Sequence, residues 1–189
     1  MNLFQGANEG LDGAVLSACG TYRYRLDRWW DDGTCVTWLM LNPSTADATI
    51  DDPTIRKCMG FSKRWGFGRM IAVNLFALRA TDPRKLAKNT DPVGPENDWY
   101  IRQAFKDSRQ VVCAWGCLQH LTPNLRPRIR RVLSLAIEEY LPDDIVTLGY
   151  RKDGAPRHPL MLGYDSERRI YGEAETMWLI RYVGVEATL

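Results

Sequence analysis

The sequence predicts one α/β domain of three layers, α/β/α, around a mainly parallel central sheet of four to five strands. Three observations predict it. Four short runs, "TCVTWLML", "RMIAVNLF", "QVVCAWG" and "DIVTLG", are apolar nearly throughout, as strands buried on both faces are. Segments of helical periodicity separate them, so strand and helix alternate and right-handed crossovers cover both faces of the sheet. The 189 residues are 45% hydrophobic, enough for a single sizeable core.

In chain order, residues 1–20 form a glycine-rich N-terminal segment and 21–167 the α/β domain. "TYRYRLDRWW" (21–30) alternates charged residues with aromatics and leucine, which suits a half-exposed strand. After "DDG" comes the first apolar strand. Asp52 followed by Pro53 predicts a helix start, with an acceptor at the N-cap and a proline whose missing N–H costs nothing in the first turn. Ile55, Cys58, Met59, Ser62 and Trp65 then recur at helical spacing, and "GFG" ends the helix. "RMIAVNLF" (69–76) is the second apolar strand, Pro95 to Asp107 a helix, and "QVVCAWG" (110–116) the third strand. A helix at about 124–141 carries an apolar stripe from Leu125 to Leu141. "DIVTLG" (144–149) is the fourth strand. Residues 168–189 form a C-terminal extension that suits either a strand or a helix.

Composition narrows the function classes. A formal net charge of +2 is far from a strongly basic binder, so any nucleic-acid contact must come from local patches. Five cysteines (19, 35, 58, 113 and 117) form no C-x-x-C pair, and only two histidines are present, so neither a metal nor another cofactor is expected. They read as reduced, mostly buried thiols. The N-terminus lacks a basic start with a long apolar run, and no stretch approaches the ~18 apolar residues of a membrane span. A cytoplasmic protein with no membrane partner is the expectation; the oligomeric state is open.

In a parallel sheet ligands bind at the carboxyl ends of the strands, where loops and helix N-termini converge. Each of the four apolar strands ends in polar or small residues: "NPSTAD", "NLFALRATDP", "WGC" and "GYRKDGAPRHP". Taken singly each has an ordinary reading. Asn42, Pro43 and Ser44 suit a self-bonded turn, and Asp52 a cap. Asp47 and Asp51 suit solvent or a catalytic base. Asn74 sits in an apolar strand, where an amide must be bonded or cost roughly 1–3 kcal/mol. Arg79, Thr81 and Asp82 suit a closed loop network, and His158 a surface loop. Their collection at one rim favours a single site.

The motifs "LNPSTADATIDDPTIRKC", "NLFALRATDP", "DPVGPEND" and "DGAPRHPL" identify the chain, from about Tyr22 to Leu162, as a member of a bacterial and phage family, domain of unknown function 1643. The order of strand-end motifs also resembles, more distantly, the uracil-DNA glycosylase superfamily. "LMLNPS" is similar to its mismatch-specific branch, in which an Asn-Pro-Gly loop replaces an acidic one. That resemblance implies a uracil-DNA glycosylase-like fold, with Asn42 as the water-orienting amide and Asn74 as the base-reading amide. His158, Pro159 and Leu160 would be the loop that stabilises the departing base and presses into the helix. The chain departs from the pattern at Ser44, which replaces glycine, and in "RHPLML", which replaces a fuller His-Pro-Ser sequence; no acid stands at Asn42.

Cleavage of an N-glycosidic bond needs a placed water, a nearby negative group and a donor for the base. An Asn42 carbonyl orients water but takes no proton, so Asp47 or Asp51 is the candidate base, and His158 the donor. Reaching a base inside DNA requires flipping it. Phe61, Phe76 and Trp115, with Gly116 beside the last, are candidates to stack on it, although aromatics at such positions are more often core. Leu160 is the candidate wedge. Arg151, Lys152 and Arg157 are candidate phosphate contacts, as are Lys63, Arg64 and Arg69, with a solvated surface as the equal alternative. The leading expectation is therefore a glycosylase-like hydrolase acting on a modified, damaged or mismatched base in DNA. The alternatives are a non-catalytic module binding a nucleotide or unusual base, and a hydrolase of free nucleosides or nucleotides.

Overall fold

The computed structural model describes residues 12–44, 50–119, 121–140 and 144–171. Its single mixed sheet contains seven strands: β1 (Gly13–Leu16), β2 (Arg23–Trp29), β3 (Cys35–Met40), β4 (Arg69–Asn74), β5 (Gln110–Cys113), β6 (Ile145–Thr147) and β7 (Arg169–Ile170), in the order β1-β2-β4-β3-β5-β6-β7. The four apolar runs form its parallel centre. β3 pairs with β4 from Cys35↔Arg69 to Met40↔Asn74 and, on its other edge, with β5 from Val36↔Gln110 to Leu39↔Cys113; β5 pairs with β6. Antiparallel strands flank this centre, β2 against β4 on one side and β7 against β6 on the other. The sheet is thus wider than the four to five strands expected. It also runs past both ends of 21–167, because β1 precedes that span and β7 follows it.

Three α-helices cover the sheet among the described residues. α1 (Pro53–Arg64) starts as its sequence predicts: Asp52 is extended and its carboxylate accepts the Ile55 N–H at 2.9 Å. α2 (Asn97–Lys106) begins two residues later than predicted, with no side-chain cap on its first turn. α3 (Pro127–Glu139) is preceded by a separate 3₁₀ turn, Pro123–Leu125, so the predicted helix is divided at Pro127. The reason is local: proline disfavours the helical conformation in the residue before it and clashes with a helix continuing through it.

Side-chain alternation sorts the core into two halves. Val36, Trp38 and Met40 of β3, Met70 and Ala72 of β4, and Val112 of β5 pack on Ile55, Cys58 and Phe61 of α1. Leu39, Ile71, Val73, Val111 and Cys113 point the other way, onto Ile101, Ala104 and Phe105 of α2 and Ile129, Val132 and Leu133 of α3. The result is the three-layer arrangement, with α1 the one α-helix on its face among the described residues. Among the described residues no helix is long and apolar enough to cross a membrane.

The connections fix the site's position. The chain leaves β3 through α1 to β4 on one side, then crosses back through α2 to β5 on the other side of β3. The carboxyl ends of β3 and β5 therefore feed loops to opposite faces, a topological switch point of the kind at which open parallel sheets form their ligand crevices.

Candidate functional site at the carboxyl rim

The loops after β3 and β4 are joined. The ladder continues past the strands through Leu75 N–H to Met40 O at 2.8 Å and Phe76 N–H to Leu41 O at 3.0 Å. Asn42 then donates its Nδ2–H to Ala80 O at 2.6 Å and to Pro43 O at 3.2 Å, and Ala80 N–H returns to Pro43 O at 3.0 Å. These bonds orient the Asn42 amide. Its Nδ2 is committed to backbone. Pro43 is buried and Ser44 half-buried beside it.

Asn74 ends β4 and is 1% exposed. By alternation it shares the α1 side of the sheet with Met70 and Ala72, and it stands in register with Met40. Neither its Nδ2 nor its Oδ1 has a hydrogen-bond partner among the described residues. A buried amide with both polar atoms unpaired forfeits its water without recompense, roughly 1–3 kcal/mol per group. Its backbone, in contrast, is braced from behind. Asn97, itself fully buried, donates Nδ2–H to Asn74 O at 3.1 Å and Leu75 O at 3.2 Å, and Arg128 Nε–H reaches Leu75 O at 2.7 Å. Sequence reasoning quoted Asn97 within "DPVGPEND" without giving it a role; a polar residue two positions after a proline at a helix start was the available signal.

His158 caps the 3₁₀ turn Pro159–Met161, which packs against α1. Its Nδ1 accepts the Leu160 N–H at 3.3 Å, so the neutral ring carries its proton on Nε2. Burial lowers its pKa below the ordinary 6.5, opposed by the negative charge of Asp52, which raises it. Behind the ring stands Gly116, with φ +74°, and a Cβ added there would come within 2.9 Å of the His158 Cβ. Gly116 N–H also bonds Pro156 O at 3.1 Å. The glycine thus seats the histidine loop against the end of β5.

The other predicted residues distribute less compactly. Asp51 Oδ1 accepts from Arg28 Nε at 2.7 Å, and Arg28 is a buried arginine of β2, so this carboxylate is committed to an ion pair. Asp47 lies outside the described residues. Asp52, read from sequence as a cap, does cap α1 and is also the carboxylate whose charge reaches His158. Asp82 caps the 3₁₀ turn Pro83–Lys88 through Arg84 N–H and pairs with the Arg84 side chain. Arg79 and Thr81 are exposed, Arg79 reaching Gly20 O at 3.3 Å. Phe76 and Trp115 are buried in the α2–α3 half of the core and Phe61 in the α1 half. Arg151, Lys152 and Arg157 lie on an exposed hairpin closed by Arg151 N–H to Ala155 O at 2.8 Å, and Arg151 pairs with Asp153. Leu160 is 41% and Met161 88% exposed at the tip of the histidine loop. Among the described residues no three His, Cys, Asp or Glu side chains cluster as metal ligands do.

Residues 23–160 match the family described as Protein of unknown function (DUF1643). The chain belongs to that family. The matched span takes in the whole parallel centre of the sheet and the rim residues Asn42, Asn74, Gly116 and His158. No curated protein and no solved structure matches the chain.

Proposed function

We propose that this member of the family is a glycosylase-like hydrolase that binds a nucleobase of DNA at the carboxyl rim and cleaves its N-glycosidic bond. The observation that carries the reading is the Asn74 amide, buried with donor and acceptor both unpaired. An amide offers one donor face and one acceptor face side by side, which is the complement of a nucleobase edge. The parallel strand order β4-β3-β5-β6, with its switch point beside Asn42 and Gly116, supports a glycosylase-like arrangement.

In this reading Asn42, its Nδ2 tied to Ala80 O, directs its carbonyl to the attacking water. The Nε2–H of neutral His158 donates to the oxygen of the departing base, where negative charge develops. Asp52 supplies the negative group, since Asp51 is spent on Arg28. Leu160 and Met161 fill the gap left by the flipped base.

One observation favours a second reading, that of a binding module without turnover: the described acids at the rim are all engaged, Asp51 in an ion pair and Asp52 in a helix cap. A single experiment separates the two. Duplex and single-stranded oligonucleotides carrying uracil, hypoxanthine, mismatches or phage-type modified pyrimidines are incubated with the protein, and released base is read by mass spectrometry. Base release that falls at least tenfold in both Asn74→Ala and His158→Ala supports the enzyme. Binding that Asn74→Ala abolishes, with no base released, supports the module. Release indifferent to both substitutions removes the site.

A further inference from the structure

The cations of this protein are held in two different ways. On the α2–α3 face most are matched by acids, Arg25 with Asp27 and Asp107, Arg102 with Glu138 and Glu139, and Arg128 and Arg131 with Asp98, although Arg69 on that side lies over Trp29 at 4.7 Å. On the α1 face Arg28 is paired with Asp51, but four other cations lie against aromatic rings. Lys57 Nζ and Arg64 Cζ each stand 3.9 Å from the centre of Tyr164, Lys63 Nζ is 5.2 Å from Trp30, and Arg168 Cζ is 4.8 Å from Trp65. None of these four cations forms an ion pair with an acid among the described residues. The exposed acids of the neighbouring loops, Asp31, Asp32, Asp165 and Glu167, form none with them either.

The distinction has an electrostatic consequence. An ion pair fixes a cation and cancels its charge; an aromatic face fixes it and leaves the charge in place. Tyr164 is itself seated closely, because a Cβ on Gly60 would come within 2.4 Å of its hydroxyl. Lys57 and Arg64 lie seven residues apart on α1, about 10 Å along the helix axis. Phosphates of one DNA strand recur every ~3.4 Å along the duplex, so that separation spans about three of them. α1 begins at the rim with Asp52, and the turn that precedes Tyr164 carries His158.

We infer that the α1 face, Lys57, Lys63, Arg64 and Arg168 on their aromatic supports, is a docking track for the phosphodiester backbone of DNA, continuous with the His158 rim. It rests on the reading of a DNA substrate given above, and adds where the strand runs. Arg69, grouped with Lys63 and Arg64 in the sequence, is not on this track: it pairs with Cys35 and shares that residue's α2–α3 side.

The test is the salt dependence of binding to a short fluorescent duplex, followed by anisotropy between about 50 and 200 mM salt. The double variant Lys63→Gln, Arg168→Gln alters only exposed side chains, and its melting temperature verifies the fold. The logarithmic slope of affinity against salt should flatten by about 2, since each lost phosphate contact removes about 0.9. An unchanged slope in the folded variant overturns the track, as does wild-type protein that shows no salt-dependent duplex binding. A polyglutamate peptide that competes as well as duplex overturns the DNA assignment and points to an acidic protein partner. Failure of the rim reading looks different: no base release and no effect of Asn74→Ala, with the slope change of the double variant intact.

Discussion

Replacing Asn74 by leucine should stabilise the protein and end the base recognition proposed for it. The side chain is 1% exposed and both amide atoms are unpaired, so the wild type carries a desolvation cost of about 1–3 kcal/mol per group at the end of an otherwise apolar strand. Leucine removes that cost and adds the transfer gain of a buried aliphatic side chain, about 1.5–3 kcal/mol. Against this stands the crowding of a branched side chain beside Met40 and the α1 layer, about 1–3 kcal/mol. With both polar groups relieved, the middle of these ranges leaves a net gain of about 4 kcal/mol, and at this chain length each kcal/mol raises the melting temperature by about 2–4 °C. Asn74→Ala controls for size, since it deletes the same polar atoms without crowding. Urea denaturation gives the stability, and the oligonucleotide panel gives base release or binding. A loss of more than about 1 kcal/mol in both variants would refute the reasoning, because it would mean that the folded protein satisfies the amide internally and that Asn74 is structural.

The remaining predictions concern the histidine loop. Asp52→Asn keeps a good N-cap while deleting a charge, so stability should change by no more than about 0.5 kcal/mol; the His158 pKa, already lowered by burial, should fall further without the carboxylate that raises it, as an NMR titration of the ring will show. Because the folded-state pKa of His158 lies below its unfolded value, the unfolded chain binds the proton more readily as pH falls through about 6.5, and stability drops in that window down to the folded pKa. His158→Gln should remove that component of the acid dependence, measured as the melting temperature of the two proteins across pH. Gly116→Ala combines a strained φ of +74° with a Cβ 2.9 Å from that of His158, and should cost about 1–3 kcal/mol while shifting the His158 ring resonances.

The parts of the fold legible in the sequence are those whose signal is local. The four continuous apolar runs are the four parallel strands, and the Asp52–Pro53 pair is the start of α1, because burial on both faces and capping are properties of neighbouring residues. β1 is only the four residues GAVL and β7 only two, both exposed; each is too short to show a strand period, and their pairing is fixed only by the strand each lies against. The site shows the same division. Asn42 and Asn74 stand out as amides at the ends of apolar strands. Arg28, in contrast, sits in "YRLDRWW" and looks like one of several exposed charges, yet it is buried and takes Asp51 with it, a partnership across 23 residues that nothing in either segment announces. The aromatic candidates are a case where more was legible. On β5 Val112 faces α1 and Cys113 faces α2 and α3, so Trp115 must follow Cys113 into the core while Gly116 turns to the histidine.

That alternation also explains why the rim's α1-facing positions carry Met40, an amide and small residues rather than aromatic ones. At the ends of β3, β4 and β5 the α1-facing positions are Met40, Asn74 and Ala114, and Gly116 follows on the same side. Large residues there would fill the space under the Pro159–Met161 turn and lift His158 away from the sheet, as the contact at Gly116 already shows for a single methyl group. The turn stays down because Leu160 N–H caps on His158 Nδ1 and Leu162 N–H returns to Pro159 O at 3.0 Å, so one compact loop both sets the histidine tautomer and exposes Leu160 and Met161 beside it. Substituting the loop's apolar tip while leaving His158 untouched therefore separates two roles that the chain places two to three residues apart. Leu160→Ser with Met161→Ser should leave recognition of a base in single-stranded DNA unchanged and weaken it in duplex DNA, where the base must be drawn from its stack. Equal loss on both substrates would assign the tip to the loop's fold instead of to the opening of the duplex.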